Sequence, residues 1–145
     1  MLLAKDAAWQ LLADNVDVAD AGTIQVLTTP EAFSQRWSAV YGDAPVPRTT
    51  VERPLYVFFN LLVNAGCPDA WLDGVVLDST ARLLYGLYSR PQVRRNCGDI
   101  AGAHTFVVAI DRDSLPRGRL MVRIERDFSV CADCGRELEQ VEVDL

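Results

Sequence analysis

Leu55-Tyr56-Val57-Phe58-Phe59-Asn60-Leu61-Leu62-Val63 is the stretch that decides the architecture. In an extended chain Leu55, Val57, Phe59, Leu61 and Val63 fall on one side, and Tyr56, Phe58, Asn60 and Leu62 fall on the other. Both sides are mainly apolar, the pattern of a central strand covered on two faces. The wider run from Pro54 to Cys67 is too short to cross a bilayer and carries Asn60 and Asn64, so it predicts a buried strand and no membrane insertion.

Downstream, Trp71 to Leu77 and Arg82 to Tyr88 are β-rich runs joined by Asp78-Ser79-Thr80, which has hairpin chemistry. Thr105 to Ile110 and Leu120 to Arg126 read as a second pair around Asp111 to Gly118, with Leu120, Val122 and Ile124 inward and Arg123 and Glu125 outward. The three stretches 55–63, 105–110 and 120–126 are compatible with one antiparallel sheet. The acidic tail from Glu137 to Leu145 reads as a short helix, a last strand or a frayed end.

Upstream, Thr28-Thr29-Pro30-Glu31 opens a helix: a threonine hydroxyl caps free amides, proline suits the first turn, and a carboxylate faces the positive end of the dipole. Phe33, Trp37, Val40 and Tyr41 form its apolar stripe, and Gly42 with the two prolines of 43–50 ends it. Ala8 to Val18 and Thr23 to Thr28 read as two strands or as a strand pair around a turn at Asp20-Ala21-Gly22. Helix competes for the first, because Leu2, Ala4, Ala7, Ala8, Leu11 and Leu12 also fall at helical spacing. The expected fold is α+β and mainly β: antiparallel sheets, one amphipathic helix near residues 30–41 packed on them, and a single domain over 1–145.

At 145 residues, half of them apolar, the chain can bury a continuous core without a metal or crosslinks. Fourteen basic against twenty acidic side chains give a formal charge of −6, which repels phosphate backbones and anionic headgroups, so nucleic acid is not an expected partner. Met1-Leu2-Leu3-Ala4 runs into Lys5-Asp6 without the apolar stretch of a secretory leader. The protein is expected in the cytoplasm if Met1 is the true start, and exported if a leader has been removed.

From Gln25 to Arg126 the order of features resembles the PrcB-type domain of accessory proteins in bacterial protease complexes. The stations are Ile24-Gln25-Val26-Leu27, Pro30 to Tyr41 with Trp37, Leu55 to Val63, Asn64-Ala65-Gly66, Trp71 to Tyr88, and Thr105 to Arg126. Where that family has a Gly-Gly-aromatic turn, this chain has the longer, cysteine-bearing Asn64-Ala65-Gly66-Cys67-Pro68-Asp69-Ala70-Trp71. The resemblance implies a non-enzymatic domain that binds or stabilises other proteins, and it brings no catalytic residues to transfer.

Four cysteines admit three pairings. If those three stretches lie in one antiparallel sheet, the end of 55–63, the start of 105–110 and the end of 120–126 share one rim, which gathers Cys67, Cys97, Cys131 and Cys134. Disulfides rank first, with Cys67 to Cys97 tying the hairpin to the next strand and Cys131 to Cys134 a short local bridge or thiols. Structural zinc on all four ranks second: Cys131-Ala132-Asp133-Cys134-Gly135 has knuckle spacing, but Cys67 and Cys97 form no second knuckle. Free thiols rank last. No other cofactor is expected.

His104 is the only histidine, and sharing a face with Phe106, Val108 and Ile110 suits a buried ring satisfied by a backbone carbonyl. Asp69, Asp73, Asp78, Asp111 and Asp113 follow no calcium-loop register and read as turn chemistry. Arg90, Arg94, Arg95, Arg112, Arg117 and Arg119 are local basic exceptions suited to a carboxylate or to plain solvation. Trp9, Trp37 and Trp71 read as core or rim packing. The expected function is a non-catalytic protein-binding or accessory module, with exposed edge strands offering a route to a homodimer. The alternative is a small thiol-dependent redox protein or enzyme using Cys131 and Cys134, or Cys97 with His104.

Overall fold

The computed structural model describes residues 1–16, 20–92, 95–127 and 139–145. Among them the chain runs β1 (Trp9–Val16), β2 (Thr23–Leu27), α1 (Pro30–Tyr41), β3 (Pro54–Asn64), β4 (Trp71–Asp78), β5 (Leu83–Ser89), β6 (Ala101–Asp111), a 3-10 turn (Arg112–Ser114), β7 (Arg119–Arg126) and β8 (Glu139–Asp144). One sheet has the order β1-β6-β3-β2 and the other β4-β5-β7-β8.

The two-sided apolar pattern of β3 is answered by two different partners. Leu55, Val57, Phe59, Leu61 and Val63 face the second sheet and pack with Val75, Leu77, Leu84, Tyr88, Leu120, Val122 and Ile124 in the main core. On the opposite face Tyr56 and Phe58, with Val107 and Ala109 of β6, lie under Phe33 and Trp37 of α1. Phe33 stacks on Tyr56 at 3.9 Å between ring centroids. The molecule is therefore a helix on a sheet on a sheet, and β3 and β6 form the middle layer's centre, paired from Pro54 with Asp111 to Asn64 with Ala101.

Local signals fixed α1 as expected. The Thr29 hydroxyl accepts from the Ala32 N–H at 3.1 Å, Pro30 occupies the first turn, and Gly42, at φ +62°, donates its N–H to the Ser38 carbonyl. The β4–β5 hairpin also forms where its turn chemistry places it, with Asp78 accepting from the Ala81 N–H at 3.0 Å. The first segment is strand rather than helix, and the tail closes on a last strand, β8, beside β7. Among the described residues no helix is long and apolar enough to cross a membrane.

Strand neighbours differ from expectation at three places. β7 does not pair with β6 and does not share its sheet: β1 and β3 occupy both edges of β6, and β5 and β8 occupy both edges of β7. The segment between β6 and β7, with its 3-10 turn and Pro116, carries the chain from one sheet to the other instead of closing a hairpin. β1 and β2 are two separate strands at opposite edges of the first sheet, so the reading as a pair around the turn at 20–22 gives way to the reading as two strands. β5 and β7 run parallel, so the second sheet is mixed rather than purely antiparallel. Period-two patterning states which face is buried but not which neighbour a strand takes or its direction.

Candidate functional site

The β3–β6 ladder spans ten residue steps, roughly 33 Å, so its two ends are separate places on the surface. At one end β3 runs out at Asn64 and β6 begins at Ala101, and a disulfide between Cys67 and Cys97 spans the loops there, with the Cα atoms 5.4 Å apart. Backbone and side chains lock the same loops: the Ala65 N–H donates to the Ile100 carbonyl at 2.7 Å, Arg95 donates to the Gly66 carbonyl at 2.8 Å, Arg90 donates to the Cys67 carbonyl at 3.2 Å, and Asn64 donates to the Gly98 carbonyl. A side chain on Gly66 would collide with the Cys97 carbonyl oxygen, so this close approach requires glycine.

Of the four cysteines, the structure brings Cys67 and Cys97 together, while Cys131 and Cys134 lie outside the described residues. β7 belongs to the other sheet, yet its end does reach this end of the sandwich: Arg126 pairs with Tyr88, Ser89 lies opposite Trp71, and the next residue, Arg90, holds the Cys67 carbonyl. Sulfurs bonded to each other offer no thiolates to zinc. For the same reason Cys97 presents no thiol to His104. That ring is buried and held on both sides, Nδ1 against the Pro68 carbonyl oxygen at 2.7 Å and Nε2 against the Asp14 carboxylate at 2.5 Å, with its face 4.8 Å from Phe106. The backbone-carbonyl reading of His104 holds. Asp14 went unseen because it is 90 positions away, brought alongside by the β1–β6 register.

Replacing His104 by alanine is expected to lower the unfolding free energy by about 2 kcal/mol, since it empties a buried site and strands the Pro68 carbonyl. Chemical denaturation checks this; an unchanged midpoint would mean that the ring is not held as described.

Two large aliphatic side chains remain exposed at this end. Leu62, on the helix-side face of β3 but beyond α1, is 50% exposed, and Ile100 is 73% exposed. With Asn64, Gly98 and Asp99 they line one shallow groove of about 300 Å³. Trp71, 51% exposed at the start of edge strand β4, departs from the buried Trp9 and Trp37.

The other end of the ladder is basic. Arg53 precedes β3 and Arg112 follows β6, and with Arg117 they line a cavity of about 550 Å³. Burial pushes the Tyr56 hydroxyl above the usual tyrosine range, and the charge of Arg112 pulls it part of the way back. Arg112 and Arg117 are close in sequence, whereas Arg53 is remote from both and only the pairing of Pro54 with Asp111 sets it beside them. Asp111 and Asp113 do serve as turn chemistry, the Asp111 carboxylate accepting from the Asp113 N–H at 3.1 Å.

Compared with known proteins, the chain matches no family model, no curated protein and no solved structure.

Proposed function

We propose that the chain is a non-catalytic binding module that docks another protein at the groove of Leu62 and Ile100. The observation that carries this reading is the pairing of exposed aliphatic anchors with a locked frame: the groove is built on loops that a disulfide and four named hydrogen bonds hold in place. A frame fixed before association loses little conformational entropy on binding, which leaves more of the apolar contact energy as affinity. Aliphatic side chains next to Asn64 and Asp99 also give the mix of apolar centre and polar rim that protein interfaces use. The resemblance to PrcB-type accessory domains points to the same class of role. A thiol-dependent chemistry would have to rest on Cys131 and Cys134, because the Cys97 sulfur is bonded to Cys67.

The test is a photo-crosslinking amino acid placed at Ile100 in the full chain, activated in cells of the native host. A discrete protein adduct is expected, and it should disappear when Leu62→Asp is added while the thermal midpoint stays within a few degrees. No adduct, or one indifferent to Leu62→Asp, would remove the groove as a docking surface.

A further inference from the structure

We infer that the arginine end of the sandwich is a second binding site, which takes a carboxylate of an acidic, partly apolar peptide segment between Arg112 and Arg117, with Arg53 at its rim. The inference shares with the docking reading only the class of partner, so either can fail alone.

The chain carries a formal charge of −6, yet three guanidiniums line this one cavity. Like charges brought together repel, and the usual remedy is a carboxylate for each. Among the described residues only Arg53 has one, Asp113 at 2.7 Å. Arg112 gives its Nη2 to the neutral Thr28 carbonyl, and its Nε is buried with no hydrogen-bond partner among the described residues. Among the described residues Arg117 has no ion pair. Next to it Arg82 donates to the carbonyls of Arg117 and Arg119, so a further positive charge meets only neutral oxygens. An anion in the cavity would supply the missing counter-charge, and guanidinium geometry favours a two-oxygen acceptor.

The site is held open rather than left to form. The Arg112 N–H donates to the Arg53 carbonyl at 3.0 Å, Gly118 and Leu145 exchange backbone hydrogen bonds at 2.8 and 3.0 Å, and the Met121 N–H donates to the Arg82 carbonyl at 3.0 Å. These bonds fix every segment that contributes an arginine. Leu115 and Pro116 form an apolar wall beside the charges, which suits a carboxylate flanked by aliphatic side chains. Long polyanions fit less well: beyond a Debye length of about 8 Å they meet the field of the whole acidic chain, whereas a short segment inside the cavity meets the arginines.

The test is a two-dimensional NMR titration of the full chain with an end-blocked peptide of alternating glutamate and leucine, with its glutamine counterpart and with inorganic phosphate. The glutamate peptide is expected to shift the amides of Arg53, Arg112, Asp113, Arg117 and Gly118 saturably. Its affinity should fall about tenfold in Arg117→Glu and about tenfold for the glutamine peptide, as loss of a close charge pair predicts. Arg117 is exposed, and the variant should melt like the wild type. Saturable phosphate binding without a preference for the glutamate peptide would overturn the peptide assignment in favour of a small free oxyanion. Absent shifts, or an affinity unchanged by Arg117→Glu, would remove the site altogether.

Discussion

Phe59→Ala is expected to lower the unfolding free energy by about 3 to 5 kcal/mol, the range for emptying a fully buried aromatic site. Phe59 has no exposed surface and belongs to the core between the sheets. Its ring lies over Gly86 of β5, where an added Cβ would approach it within 3.2 Å, with the Leu72 side chain of β4 alongside. Leu62, three residues on along the same strand, is the control. It is half exposed, and Leu62→Ala should cost about 0.5 kcal/mol or less. Urea denaturation of the two variants checks the register of β3, because a one-residue slip would carry Leu62 to a buried position, 61 or 63, while leaving Phe59 buried on the other face. Comparable losses in both would contradict the arrangement of β3 between two layers.

Replacing both Cys67 and Cys97 by serine is expected to cost about 3 to 4 kcal/mol, on the chain-entropy model for a loop of this length. The bridge joins residues 30 positions apart and encloses the β4–β5 hairpin, so its loss frees that hairpin in the unfolded chain as well as loosening the rim in the folded one. Wild-type protein under reductant should then unfold at the same midpoint as the double variant under air. A wild-type midpoint indifferent to reductant would show that the bridge adds nothing to stability.

Elements whose signals are local were legible in the sequence. Thr29, Pro30 and Gly42 bound α1, Asp78 sets the turn of the β4–β5 hairpin, and the alternation from Leu55 to Val63 gives a strand covered on both faces. Relations between distant elements were legible only where one strand forced them. The antiparallel pairing of 55–63 with 105–110 brings Cys67 near Cys97, and this part of the rim argument holds. Placing Leu120–Arg126 in that same sheet failed, although its end reaches the same rim, since nothing in the alternation of Leu120, Val122 and Ile124 distinguishes a place beside β6 from one beside β5. The same gap hid the Asp14–His104 contact and the meeting of Arg53 with Arg112 and Arg117, which depend on register across chain segments rather than on any local pattern.

Both proposed surfaces follow from the β3–β6 ladder, which puts a covalent clamp at one end and a cluster of arginines at the other. Peptide mapping by mass spectrometry on protein alkylated without reductant tests that ladder at its clamped end. One crosslinked species joining the Cys67 peptide to the Cys97 peptide is expected. Alkylation of both residues as free thiols, or a bond from either to Cys131 or Cys134, would contradict it.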